Sequence, residues 1–390
     1  MRTETITAIF LMVCFVLFGI SAKASPTDSA NQCSLKERYI DFPNPDLLDR
    51  VARGFNLPNW DSSNQRNQLV KATLIDLRKR GLSHIRLPVF SPAFMGNDLG
   101  SAEAQAYMNN MSAYTKELVD IGYLVSIDIH PSKEFNDAYR IAPDATLDRL
   151  MRIWKALSVH LAQFKPQDVL VEILNEPDTD ARTWQKHSTL LAKHIRELLP
   201  HHTIVLSPSG PQRHEALFPI TPVDDPNTLY AVHFYDPFIF THQGASWLPE
   251  NEPIRQYKKL TFPMDFNNPS TQALYGELIS TGQIAAANKL KEQLFKPWGF
   301  EDIDSIFDGL QQWSDKHNRP IVINEFGVLS HHAPRISRLL WLKTIVERAE
   351  EHCMAWTHWD YSDGFGFVDP VTQRPDQAIL QMFLRESLGQ

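Results

Sequence analysis

Apolar and polar positions along this chain follow two alternating rhythms. Short, nearly continuous apolar runs recur between longer segments whose apolar residues fall every three or four positions. The short runs are Gly54–Leu57, His84–Val89, Tyr123–His130, Val169–Leu174, Thr203–Ser207, Leu229–Tyr235, Pro320–Asn324 and Cys353–Trp359. Continuous runs of this kind suit strands covered on both faces, as parallel sheets require. Between them, Leu69, Val70, Thr73, Leu74 and Leu77 share one helical face ahead of Gly81, a natural residue to end a helix. Leu147 to Leu161, Trp184 to Leu198 and Ile336 to Val346 repeat that spacing.

Repeated strand–helix units predict an α/β chain folded as a (β/α)8 TIM barrel, whose usual size is about 250 residues plus insertions. A doubly wound open sheet is the alternative, but no Gly-rich phosphate loop follows any early strand. Two parts exceed a minimal barrel. Residues 25–52 form a polar, proline-containing approach, and the barrel itself is expected over 53–390. Residues 238–300 form a long insertion between the sixth strand and its helix, Asp302–His317. The insertion holds Trp247, Trp298, several prolines and a predicted helix near Thr271–Phe295.

The first residues change the picture in another way. Arg2 precedes an apolar stretch, Ile6–Ile20, and Ala22-Lys23-Ala24 supplies a small-x-small cleavage site. That order is a secretory signal peptide over 1–24, so a secreted or periplasmic chain is expected. The stretch is short for a spanning helix, and an uncleaved anchor is the competing reading. No second apolar run of spanning length follows, so no stable membrane insertion is expected after cleavage. Export leaves Cys33 and Cys353, which either pair in an oxidising compartment or stay separate buried thiols. Cys353 opens a predicted strand at the barrel floor, where a segment carrying Cys33 could pass.

The 390 residues are 43% hydrophobic and 22% charged, an ordinary globular balance. A net charge of −8 argues against nucleic acid or anionic lipid as the main partner. Nine Trp and ten Tyr suit sugar stacking, but they serve cores equally well. No zinc-peptidase, nucleophile-elbow, phosphate-loop or metal-binding Cys pattern occurs.

The ends of the predicted strands carry the candidate chemistry, because α/β barrels build sites at that mouth. Arg86 ends the second strand and is counted among the substrate-binding candidates, His130 ends the third, and Asn175 and Glu176 end the fourth. His233 and Tyr235 are on the sixth, Glu325 on the seventh and Trp359 on the eighth. Glu176 and Glu325 facing each other over one pocket would suit glycosidic bond cleavage, which needs an acid and a nucleophile. An acid must hold its proton, so Glu176 is expected to be raised by a neighbouring Glu325 and by desolvation. A nucleophile must stay ionised, favoured by Arg86 and Tyr235. Asn175 is placed to bind a sugar 2-hydroxyl, His130 and His233 offer further donors, and Trp359 offers a platform. A metal-type reading of Asp128 and His130 lacks a complementary His-rich strand end, so a hydrogen-bonded barrel histidine is expected.

On these residues the chain resembles glycoside hydrolase family 5, the cellulase family, from about Arg53 to Asp369. The likeness is carried by Asn175-Glu176-Pro177, Glu325-Phe326-Gly327, His233 with Tyr235, Arg86, His130 and the stretch Trp356–Ser362 around Trp359. The resemblance implies Glu176 as acid/base, Glu325 as nucleophile, double displacement with retention, and no metal or organic cofactor. It implies a polysaccharide or oligosaccharide substrate and an endo-β-1,4-glucanase acting as a monomer. A β-mannanase, β-1,3-glucanase or transglycosylase would use the same scaffold. A non-hydrolytic carbohydrate-binding barrel is the rival reading, and it has no need of both glutamates. The segment after the sixth strand departs from a typical member and leaves the cleft shape open.

Overall fold

A computed structural model describes residues 33–62, 67–90, 92, 94–96 and 98–384. The expected signal peptide, 1–24, lies outside the described residues. Eight strands form the barrel: Arg53–Asn56 (β1), His84–Val89 (β2), Leu124–Ile129 (β3), Val169–Glu172 (β4), Ile204–Leu206 (β5), Thr228–Phe234 (β6), Ile321–Phe326 (β7) and Ala355–His358 (β8). Neighbours in sequence pair in parallel, and β8 pairs with β1 to close the ring. The (β/α)8 expectation holds, and each strand lies within two residues of its apolar run.

Side-chain alternation sorts the strands' apolar residues into two cores. Ile85, Leu87, Val125, Ile127 and Val171 join the large core under the helices. The intervening Leu124, Leu170, Val205, Leu229 and Val322 join a smaller cluster with Leu35, Leu47, Leu48 and Val51. The described part of the expected polar approach is therefore the plug of the barrel floor. Its short helices, Leu35–Arg38 and Pro45–Val51, turn Lys36 and Asp46 outward and their leucines inward. Helices of one or two turns are too short for apolar periodicity to reveal. Cys33 and Cys353 form a disulfide with their Cα atoms 5.3 Å apart, which ties the plug to the approach of β8.

Outer helices occupy Gln68–Lys79, Pro143–Leu161, Ala181–Leu198 and Arg335–Glu351, where the apolar spacing places them. The insertion's predicted helix is instead two, Pro269–Ser280 and Ile284–Gln293. Gly282 separates them at φ +77°, a left-handed conformation that ends a helix cheaply only at glycine. Met264 and Trp298 exchange backbone hydrogen bonds of 2.8 and 2.9 Å, which fastens the excursion across its neck. Among the described residues no helix is long and apolar enough to cross a membrane.

The disulfide joins residues 320 positions apart and so restricts the unfolded chain strongly. Cys33→Ser should lower the unfolding free energy by about 2–4 kcal/mol. Urea unfolding followed by tryptophan fluorescence would measure the loss, and unchanged stability would show that the bridge adds nothing.

Candidate active site

The centre of the barrel is a polar layer organised by one cation. Arg86 lies in the middle of β2 with no exposed surface. Its Nε and Nη2 donate to the two oxygens of Glu172 at 2.7 and 2.9 Å. Nη2 also reaches Asp128 Oδ2 at 2.9 Å and donates to Asn175 Oδ1 at 2.8 Å, and Nη1 donates to Asn56 Oδ1 at 3.0 Å. The remaining contact is Nη1 to Glu325 Oε1 at 2.7 Å. Arg86 was expected at a strand end in contact with substrate. The structure buries it beneath the mouth instead, where it positions other groups. Burial works against its charge, but Asp128, Glu172 and Glu325 outweigh that and hold it protonated.

Glu172 is the residue that sequence reasoning missed. It ends β4, and Asn324 Nδ2 donates to both its oxygens at 3.0 Å. Burial and the Asp128 charge push its carboxyl up against the pull of Arg86. The available signal was a glutamate inside the apolar run Val169–Leu174, a position that has to be paired when buried.

A β-bulge aims Glu325. Val232 pairs with Ile323, but the next residue, His233, pairs with Glu325, so Asn324 is an extra residue on β7. Alternation would send two adjacent side chains to opposite faces, and a bulge suspends that rule. Asn324 can then reach Glu172 while Glu325 reaches Arg86. Tyr235, one residue past β6, donates its hydroxyl to Glu325 Oε2 at 3.0 Å.

Glu176 is held differently. β4 stops at Glu172, and Glu176 stands four positions later on a turn, not on the strand end that its apolar run predicts. Its φ of +43° is unusual for a residue with a side chain and signals local strain. The Glu176 N–H donates to Gln212 Oε1 at 2.6 Å, and the Asn175 N–H donates to the Ile129 carbonyl at 2.8 Å. His233 Nδ1 lies 3.0 Å from Glu176 Oε1 and 3.5 Å from Glu325 Oε2. An oxygen of Glu176, a His233 nitrogen and an oxygen of Glu325 all fall within 4.8 Å of one another. That trio is also the set among the described residues with the spacing to hold a cation; Asp128 and His130 are not part of it.

The electrostatics of Glu176 differ from expectation. Burial pushes its carboxyl up, but the hydrogen bond and charge of His233, then the charges of His130 and Arg86, hold it below the usual range. His130 is a hydrogen-bonded barrel histidine. Its Nδ1 lies 3.0 Å from Asp128 Oδ2, its Nε2 is 3.4 Å from Asn175 Nδ2, and its ring stacks 5.8 Å from Trp359. Above these residues opens a cavity of about 370 Å³ in which His130, Asn175, Glu176, Tyr235, Glu325 and Trp359 all take part. Asp360 also lines it. Burial, helped by the Asp363 charge, pushes the Asp360 carboxyl to about 7 against a hydrogen bond from the Asp363 N–H.

Two neighbouring carboxylates, a stacking ring and neutral donors in one cavity form a site for cleaving a bond between sugars. Residues 48–364 match the cellulase family (glycosyl hydrolase family 5), and the chain belongs to that family. It is 27% identical over 364 residues to Endoglucanase 3 of Fibrobacter succinogenes, a match covering 85% of this chain and 53% of that protein. It is 22% identical over 335 residues to Endoglucanase H of Acetivibrio thermocellus, covering 83% and 31% respectively. The chain thus spans about half and about a third of the lengths of these relatives. In fold it is similar to endoglucanase Cel5A of Thermotoga maritima, with a TM-score of 0.68 at 21% identity over 90% of this chain and 100% of that one.

The Asp360 carboxyl yields a pH test. Its folded value lies above the ordinary aspartate range, so its contribution to stability is complete below about pH 4 and lost as pH rises through about 7. Asp360→Asn keeps an oxygen for the Asp363 N–H and removes the titration. The stability of the variant relative to the parent should therefore increase between pH 5 and pH 8 in urea titrations. A difference that does not vary with pH would contradict the assignment.

Proposed function

We propose that this domain is a retaining glycosidase that cleaves β-1,4-linked glucan within the chain, with Glu325 as nucleophile and Glu176 as acid/base. The carrying observation is the approach of the two carboxylates, whose nearest oxygens lie within 4.8 Å. Retaining enzymes hold them about 5–5.5 Å apart, whereas inverting enzymes need roughly 6.5–9.5 Å to seat a water.

In the first step Glu325 attacks the anomeric carbon of a sugar lying over Trp359. The glycosidic C–O bond breaks, and its oxygen takes a proton from the protonated form of Glu176, a minority form at neutral pH because His233 holds that carboxyl down. In the second, Glu176 removes a proton from water as the water oxygen displaces Glu325 from the sugar. Arg86 and Tyr235 each grip one oxygen of Glu325, which fixes the line of attack. Asn175, oriented by Arg86, offers its amide to the 2-hydroxyl. Glu176 keeps one oxygen against His233 while its side chain stays 40% exposed to the cleft. A barrel that only bound sugar would need neither this separation nor this difference in surroundings.

Support for β-1,4-glucan comes from family membership and from the endoglucanase names of the relatives. Thermotoga maritima Cel5A structures hold cellobiose and also mannotriose, which makes β-mannan the second substrate reading. Export to a secreted or periplasmic location is part of the proposal. It is supported by the Met1–Ala24 pattern and by the Cys33–Cys353 disulfide, a bond that persists in oxidising compartments. We propose action as a monomer.

Glu325→Ala should abolish turnover on every substrate while the circular dichroism spectrum is retained. Glu176→Ala should slow cleavage of a natural linkage by about 10²–10⁴-fold, and slow the first step on an aryl glycoside with a good leaving group far less. Equal losses on both would reject the acid role. Because His233 holds Glu176 down, His233→Asn should raise that carboxyl and carry the alkaline limb of kcat/KM to higher pH. A limb that stays in place would remove His233 from this role. Product sizing on cellulose derivatives, mixed-linkage glucan, laminarin, mannan and xylan would separate the substrate readings.

A further inference from the structure

None of the strand-end candidates comes from β5, yet the loop that follows this strand reaches Glu176 from behind. Trp184 Nε1 donates to the Ser207 carbonyl at 2.6 Å and ties the start of that loop to the helix Ala181–Leu198. Further along, the Gly210 N–H donates to the Pro177 carbonyl at 2.8 Å. Gln212 then makes two contacts of its own. Its side-chain Oε1 accepts the Glu176 N–H at 2.6 Å, and its backbone carbonyl accepts the His233 N–H at 2.9 Å. One residue thus joins the turn that carries Glu176 to the strand that carries His233.

Both partners of the first contact are strained. Glu176 has φ +43° and Gln212 φ +50°, left-handed conformations that a residue with a side chain adopts only when its surroundings hold it there. The contact also costs Gln212 a donor. An N–H can donate only to the amide oxygen, so Oε1 faces Glu176 and Nε2 is turned away. Gln212 is fully buried, and among the described residues its Nε2 has no hydrogen-bond partner. A buried donor left unpaired lowers stability. Turning the amide over to serve Nε2 would abandon the Glu176 N–H. Two strained residues and one unpaired group around a single hydrogen bond point to a constraint other than stability.

Resting on the acid/base role of Glu176 proposed above, we infer that Gln212 is a positioning residue for that acid: its side-chain oxygen locks the Glu176 turn and so aims the carboxyl at the departing oxygen. Gln212 does not line the cavity that holds the two glutamates, so it acts through Glu176 and not on the sugar. A proton passes only when acid and acceptor come within hydrogen-bond reach, and the direction of the Glu176 side chain follows its backbone. Released from Gln212, the turn relaxes toward an ordinary φ and the carboxyl swings with it. Glu325 keeps its aim, because its own partners are Arg86 and Tyr235. Protonation is therefore lost while attack is retained.

The test uses the whole chain and a series of aryl β-cellobiosides whose leaving groups run from dinitrophenol, which departs without a proton, to phenol, which needs one. The kcat/KM on each reports the first step. Gln212→Met keeps the length of the buried side chain and removes the acceptor. It should leave the dinitrophenyl substrate near the parent rate and slow the phenyl substrate about tenfold or more, since a misplacement near 1 Å can cost about 10²-fold. Gln212→Gly, which accepts a left-handed φ freely, should give the same pattern, so the test does not hang on the folding of one variant. Gln212→Glu keeps an oxygen on the Glu176 N–H and should recover most of the phenyl rate. An even loss across the series, an unchanged phenyl rate, or a Gln212→Glu variant as impaired as Gln212→Met overturns the inference. Glu176→Ala, measured beside them, separates the two failures. If it slows every substrate equally, the acid reading itself has failed; if it is selective and Gln212→Met is not, only the role of Gln212 falls.

Discussion

The structure depends on one buried cation and the anions that surround it. Taking a guanidinium out of water costs several kcal/mol, and each carboxylate brought beside it adds a similar cost. Arg86 offsets this only because Glu172, Asp128 and Glu325 meet it with ion-pair contacts at 2.7–2.9 Å. Five donors in a planar fork allow one side chain to reach β1, β3, β4 and β7 at once, which a lysine ammonium could not do. The geometry of the mouth is thus fixed from below. Glu325 and Asn175 are attached to this girdle, and their positions follow from its charge balance.

Glu176 stands outside that arrangement. It touches His233 and Gln212, occupies a left-handed turn and keeps part of its surface in the cleft. The two glutamates therefore meet from different supports, one rigid and buried and the other at a strained exit from a strand. Unequal surroundings are what lets two chemically identical groups take different parts in one reaction.

Much of this was legible in the residues. Strand runs were visible because parallel strands covered on both faces have no polar side to interrupt them, and the strand ends placed Glu176, Glu325, His130, Tyr235 and Trp359 around one mouth. What could not be read depends on pairing between distant segments. The bulge at Asn324 exists only relative to β6, so nothing in Pro320–Gly327 taken alone announces it. Arg86 looked like a strand-end contact because its five anionic and amide partners come from four other strands and the exit of β4. Glu172 was hidden by its apolar neighbours, and the floor plug by helices of one or two turns. Trp247 gave no sign of its place on the cavity wall, since the bonds that set it, Gly244 to Ile254 and Arg255 to Ser246 and Leu248, close only when the loop is folded.

The neck formed by Met264 and Trp298 has a wider consequence. Beyond Tyr235, which bonds Glu325, none of the hydrogen bonds or ion pairs that hold Arg86 comes from the stretch between β6 and that neck, so a change of side chain there leaves the interior charge balance alone.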